Sequence, residues 1–132
     1  MLKLILQGLI LLAVLMTTSA CTTNKTIEVD GESNGSRVEM KAGDTLIITL
    51  EGNITTGYQW ELLPNTEGII QLQGDPEYVQ KSAGKLMGAG GVYYFTLKAM
   101  QPGSTRIELK YYRSFEPDVA PLEIFSLDVG VK

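Results

Sequence analysis

Seven consecutive residues, Thr105-Arg106-Ile107-Glu108-Leu109-Lys110-Tyr111, alternate between apolar and polar or charged side chains with a period of two. That period is the signature of a half-buried β-strand, because successive side chains of a strand point to opposite faces. The pattern recurs at Thr26–Asp30, Ser36–Lys41, Tyr58–Trp60 and Leu122–Val129. Thr45–Leu50 is rich in β-branched residues with apolar side chains on both faces, as suits a central strand. Val92–Met100 is a further strong strand, and Ile69–Leu72 and Glu77–Val79 are short apolar pieces separated by Gly74-Asp75-Pro76. No window sustains the i, i+3, i+4, i+7 spacing of an amphipathic helix. Turn signals such as Ala42-Gly43-Asp44 and Gln101-Pro102-Gly103-Ser104 separate the segments. Short strands at near-regular spacing predict an all-β sandwich.

The first 20 residues are set apart from this pattern. Lys3 precedes an apolar run from Leu4 to Met16, interrupted only by Gln7 and Gly8, and Thr17-Thr18-Ser19-Ala20 brings small residues up to Cys21. The run is shorter than the roughly 20 apolar residues of a membrane span and has the shape of an export signal. Ser19-Ala20-Cys21 resembles the lipobox of bacterial lipoproteins, with Thr18 where leucine is usual. The resemblance implies that Cys21 receives a lipid and becomes the mature N-terminus. Cys21 is the only cysteine, so no intrachain disulfide forms. The expected organisation is a signal peptide over 1–20, a lipidated cysteine and tether over 21–25, and one domain over 26–132. The expected location is the cell envelope, membrane-anchored, at the outer membrane or periplasmic face in a diderm.

Composition narrows the function. Lys3 is the only charged residue among the first 20, so the remainder carries ten bases against fifteen acids, net −5. No basic face for nucleic acid is expected. The chain has no histidine, which excludes Ser–His and Cys–His nucleophile pairs and histidine-ligated metal sites. No cofactor, metal site or catalytic residue is expected.

Three loops stand out instead. Asn53-Ile54-Thr55-Thr56-Gly57 is small, polar and turn-forming, and leads directly into Tyr58-Gln59-Trp60, which holds the only tryptophan. The β-branched threonines are stiff at χ1, and a buried indole would anchor the loop from below. Leu86-Met87-Gly88-Ala89-Gly90-Gly91 has almost no side-chain bulk, so another backbone could approach it closely. It lacks the Lys-Ser/Thr ending of a phosphate loop and precedes a strand. Tyr112-Arg113-Ser114-Phe115-Glu116-Pro117 places an arginine beside an aromatic, residue types enriched at interface hot spots.

Together, Asn53 to Trp60, Gly88 to Gly91 and Arg113 to Glu116 resemble the chagasin family of cysteine-peptidase inhibitors, over about Ile27 to Val131. The resemblance implies an immunoglobulin-like β-sandwich that inserts three loops from one end into the active-site cleft of a papain-like cysteine peptidase. Asn53, Ile54, Thr55, Thr56, Gly57 and Tyr58 would form the first loop, with Thr55 and Thr56 at the catalytic cysteine of the target. Gly88, Ala89, Gly90 and Gly91 would lie along the cleft wall, and Arg113, Ser114 and Phe115 would grip its far side. Two positions depart from the family pattern: Ile54 stands where proline is usual, and Arg113-Ser114-Phe115 replaces Arg-Pro-Trp. The alternative reading is a non-catalytic envelope module that binds glycan or another protein, since sandwiches host many unrelated functions.

Overall fold

The computed structural model describes residue 19, residues 21–81 and residues 89–132. The expected signal peptide over 1–20, Ser19 apart, and Gly88 of the second loop lie outside the described residues.

Nine strands and two one-turn 3-10 helices make up the described chain. The strands are β1 (Thr26–Asp30), β2 (Arg37–Met40), β3 (Thr45–Gly52), β4 (Tyr58–Leu62), β5 (Ile70–Leu72), β6 (Glu77–Gln80), β7 (Gly91–Ala99), β8 (Gly103–Arg113) and β9 (Glu123–Val131). One sheet runs β1-β3-β7-β5, with β6 also on β7, and the other runs β2-β9-β8-β4. The expected sandwich is the observed architecture, with alternate residues of each strand turned inward.

The core follows from that alternation. Leu46, Ile48 and Leu50 of β3 and Tyr93, Phe95 and Leu97 of β7 are buried from one sheet. Ile107, Leu109 and Tyr111 of β8 and Phe125, Leu127 and Val129 of β9 are buried from the other. β3 lies between β1 and β7, the central place its apolar composition predicts. β5 and β6 act as one interrupted strand along β7, pairing with its end and its beginning respectively. Gly74-Asp75-Pro76 falls in the gap, and the Gln73 amide donates to the Thr96 carbonyl there at 2.7 Å.

Several boundaries differ from the sequence reading by one or two residues. The loop expected over 31–35 begins with a 3-10 turn over Gly31–Ser33, capped by the Asp30 carboxylate, which accepts from the Glu32 amide at 3.0 Å. Strand β8 also runs on past Tyr111 to Arg113, because β4 pairs with it from Tyr58↔Arg113 to Leu62↔Leu109. Arg113 is therefore a strand residue, not a loop residue.

Register decides which loops share an end. The last residue of β3, Gly52, pairs with the first of β7, Gly91, and Gln80 at the end of β6 pairs with the same Gly91. Tyr58 at the start of β4 pairs with Arg113 at the end of β8, and Glu123 at the start of β9 with Tyr111. The chain therefore leaves the sandwich at one end after Gly52, Gln80 and Arg113, and re-enters it there at Tyr58, Gly91 and Glu123. The β-turn at 41–44, the start of β1 and the end of β9 lie at the opposite end, which we call the base.

Candidate functional site: three loops at one end of the sandwich

The first loop is wound into a 3-10 turn over Ile54–Thr56. Asn53 caps it: its Oδ1 accepts from the Thr55 amide at 3.1 Å and from the Thr55 hydroxyl at 2.6 Å. Asparagine is among the preferred capping residues because its short side chain reaches these first free amides. The Thr56 hydroxyl donates to the Asn53 carbonyl at 2.6 Å. Gly57 ends the turn at φ +81°, a left-handed conformation that favours glycine, and its amide donates to the Ile54 carbonyl. Both threonine hydroxyl protons are thus used inside the loop, while Ile54, Thr55 and Thr56 are exposed at its tip.

A stack of rings and one cation supports this loop from the domain side. Trp60 is buried at 7 % exposure, as its place in the alternation predicts, and its indole N–H donates to the Glu51 carbonyl at 2.9 Å across the loop neck. The Tyr111 ring stacks between Trp60 (centroids 5.0 Å apart) and Tyr58 (5.2 Å). The Arg113 guanidinium lies 4.4 Å from the Tyr58 ring centre, and its Nε donates to the Thr56 carbonyl at 3.0 Å. The Tyr111 hydroxyl accepts from the Asn53 amide at 2.9 Å, tying the loop entrance to the other sheet.

The Arg113 side chain does not extend freely toward a partner. It bridges the first loop to Glu116 of the third, at 3.5 Å, and is only a third exposed. Phe115 is 67 % exposed and carries the free apolar surface of that loop. The ring edge of Phe115 also lies against Gly57, where an added Cβ would meet it at 2.9 Å. Ser114 is exposed beside it. The first and third loops therefore form one continuous projection.

The described end of the second loop packs on the end of β3 through backbone. Ala89 and Gly90 are half-buried, and a Cβ on Gly90 would meet the Gly52 carbonyl at 3.2 Å. Gly91 is buried inside β7, where a Cβ would collide with the Val79 carbonyl and the Tyr78 ring, both at about 2.5 Å. Packing within the sheet accounts for that glycine. The stem is closed by an ion pair between Lys81 and Glu51, which holds the Glu51 carboxyl below its ordinary value.

Tyr111 and the Lys81–Glu51 pair contribute to this end beyond the candidates of the sequence reading, and Glu116, part of the third-loop motif there, gains a defined partner in Arg113. Tyr111 offered a signal: a tyrosine on the core face needs a partner for its hydroxyl. One cleft runs directly below this end, lined among others by Asp30, Glu32, Glu51, Trp60 and Val92, and another lies at the base around Lys25 and Asp44. Among the described residues, no group of three or more His, Cys, Asp or Glu side chains is placed to hold a metal ion. What remains is a rigid, internally hydrogen-bonded wedge.

Known proteins resemble this chain in sequence and in fold. The chain is 33 % identical over 102 residues to Amoebiasin-1 of Entamoeba histolytica, covering 76 % of this chain and 95 % of that protein. A cysteine protease inhibitor crystallised from the same organism shares the fold with a TM-score of 0.69 at 19 % identity, covering 82 % of this chain and 96 % of that one. An inhibitor solved in complex with falcipain-2, PbICP-C, superposes with a TM-score of 0.60 at 21 % identity, over 83 % of this chain and all of that one. The sequence model of the chagasin family peptidase inhibitors matches residues 39–129, from the middle of β2 to near the end of β9 and across all three loops. The immunoglobulin-like sandwich described above is therefore that of the chagasin family of peptidase inhibitors, to which this chain belongs.

Proposed function

We propose that this chain inhibits papain-like cysteine peptidases reversibly and without covalent chemistry, by seating its three-loop end in the active-site cleft. The observation that carries the reading is the pre-wound first loop. Its amides and hydroxyl protons are already bonded through Asn53, and Arg113 locks it to the third loop. A loop ordered before binding avoids much of the entropy cost of association. Thr55 and Thr56 then occupy the catalytic centre as a compact turn, a shape that does not present an extended peptide bond for cleavage. Ala89 and Gly90, with Gly88, lie along one wall, and Phe115 with Ser114 covers the other. Arg113 and Tyr58 act from behind the surface. Ile54, 52 % exposed at the tip, gives this inhibitor an apolar contact where the family pattern has proline.

The test is steady-state inhibition of papain by residues 22–132. Competitive inhibition, reversed on dilution and without effect on serine or metallopeptidases, is the expected result. Unchanged papain activity at micromolar domain would instead support an envelope module with another ligand.

The same proposal includes the anchor. Ser19-Ala20-Cys21 reads as a lipoprotein cleavage site, and Cys21 is exposed with no disulfide partner. Cys21 then carries the lipid, residues 1–20 are removed, and the inhibitor works in the cell envelope. Cys21→Ser should move the protein from the membrane to the soluble fraction, with loss of the lipid mass. A protein that stays membrane-bound with an unmodified Cys21 contradicts this part.

A further inference from the structure

We infer that the base of the sandwich is its membrane face, so that the lipid anchor holds the three-loop end outward and a peptidase can be bound while the inhibitor remains on the bilayer. This rests on the proposed lipidation of Cys21 and adds to it a direction that the lipid alone does not give.

The tether is fastened to the base within four residues of the anchor. The Lys25 amide donates to the Asp44 carboxylate at 2.8 Å, and the Lys25 carbonyl accepts from the Thr45 amide at 2.8 Å. The Lys41 amide donates to the other oxygen of Asp44 at 2.8 Å, so this buried carboxylate joins the tether to the β2–β3 turn. Asn24 packs over the same turn, close enough that a Cβ on Gly43 would meet its side-chain oxygen at 2.7 Å. Strand β1 then runs parallel to β3, from Thr26 beside Thr45 toward the loop end.

Lengths decide the orientation. From Cys21 to Lys25 the chain spans at most about 14 Å when fully extended. From Thr45 to Gly52, β3 covers about 25 Å, and the first loop lies beyond it. The tether is too short to carry the membrane past the base to the loops. Lys25, Lys41 and Lys132 are all exposed at the base, where anionic headgroups would attract them. At the loop end Glu116 and Asp118 lie in the third loop, and the cations Arg113 and Lys81 are each paired with a carboxylate, Glu116 and Glu51. A membrane-bound inhibitor of this build takes its peptidase from the aqueous side, at a distance of about one strand length from the headgroups.

The experiment uses the full-length protein, processed in a bacterial host, in vesicles of phosphatidylethanolamine and phosphatidylglycerol with a spin-label quencher on a fraction of the headgroups. Lys41→Cys at the base and Asp118→Cys in the third loop are each labelled with an environment-sensitive fluorophore, Cys21 being blocked by its lipid. Severalfold stronger quenching at position 41 than at 118, with papain co-sedimenting on the vesicles, is the expected result. Equal quenching, or stronger quenching at 118, overturns the orientation and shows a domain lying on its loops. Mass spectrometry of the same sample separates the two layers of the argument. An unmodified Cys21 overturns the lipidation and the orientation together, whereas a lipidated Cys21 with quenching at 118 overturns the orientation alone.

Discussion

The two ends of the sandwich are closed by the same device in two chemical forms. At the base, Asp44 accepts the amides of Lys25 and Lys41. At the loop end, Asn53 accepts the amide and hydroxyl of Thr55. A carboxylate makes the stronger, charge-assisted bonds. An amide makes weaker ones that do not titrate. The base is thus built for attachment and the loop end for a fixed shape whose hydrogen bonds are indifferent to pH. The exceptions at the loop end are the ion pairs of Arg113 with Glu116 and of Lys81 with Glu51, which are solvated and add little by themselves.

The largest expected effect breaks the loop end while sparing the base. Trp60→Ala removes the buried ring beneath the first loop and its hydrogen bond to Glu51, and should cost about 3–5 kcal/mol of stability. Leu46→Ala near the base should cost about 2–5 kcal/mol. Under conditions where both variants remain folded, only Trp60→Ala should lose inhibition, and denaturant unfolding with parallel papain assays measures both. Equal inhibition by the two variants would mean that the loop does not depend on the core below it.

A smaller effect is expected at Arg113. Its guanidinium bonds to the Thr56 carbonyl and covers Tyr58, so Arg113→Ala should weaken peptidase binding by about 1.5–3 kcal/mol, the range for bonds to a charged group. Phe115→Ala should cost binding without loosening the first loop. Hydrogen exchange at the Thr55 to Gly57 amides distinguishes the two, rising in Arg113→Ala and unchanged in Phe115→Ala.

This bridge marks the limit of what the sequence made legible. The strands could be read because a period of two in side-chain polarity is imposed locally by the pleat. Trp60 was placed in the core, and the tight turn at Gly57 expected, by equally local rules. Tyr111-Tyr112-Arg113 does not alternate cleanly, so the local pattern reads Arg113 as a loop residue, and only pairing with Tyr58, 55 positions earlier in the chain, extends the strand. Its bond to Thr56 is likewise a product of register between distant strands. The clustering of the loops at one end follows from the same register, which no local pattern encodes. The family resemblance supplied it in the sequence reading.

The buried carboxylate at the base gives the next prediction. The amides of Lys25 and Lys41 hold the Asp44 carboxyl below its ordinary value of 3.8. Because the folded value is the lower one, Asp44 stabilises the fold above pH 3.8, and that contribution fades as pH falls through the ordinary value and then the folded one. Asp128, lowered by Arg106, acts in the same direction. Asp44→Asn should therefore flatten, but not abolish, the acid limb of the stability profile in thermal melts. Inhibition by the folded variant should match wild type, and a loss specific to inhibition would contradict the separation of the two ends.

The smallest expected effect is a gain. Ile54 is the first residue of the 3-10 turn, a position that tolerates proline, and Asn53 before it is already extended at φ −133° and ψ 98°. Ile54→Pro should then stabilise the loop by about 0.4–1 kcal/mol through the unfolded chain. A tighter inhibition constant of a few fold is expected, offset in part by the lost apolar contact. Weaker inhibition would show that the Ile54 side chain matters more than loop rigidity.

The central claim, obstruction by a preformed wedge, is tested most directly by titrating residues 22–132 into a papain-like peptidase whose catalytic cysteine has been replaced by alanine. The account predicts saturable one-to-one binding, displaced by an active-site peptide, and lost when Thr55→Arg and Thr56→Arg are combined in a domain that still folds, because unpaired charge would be buried in the cleft. Failure to bind the alanine peptidase, or equal binding by the double variant, would contradict it.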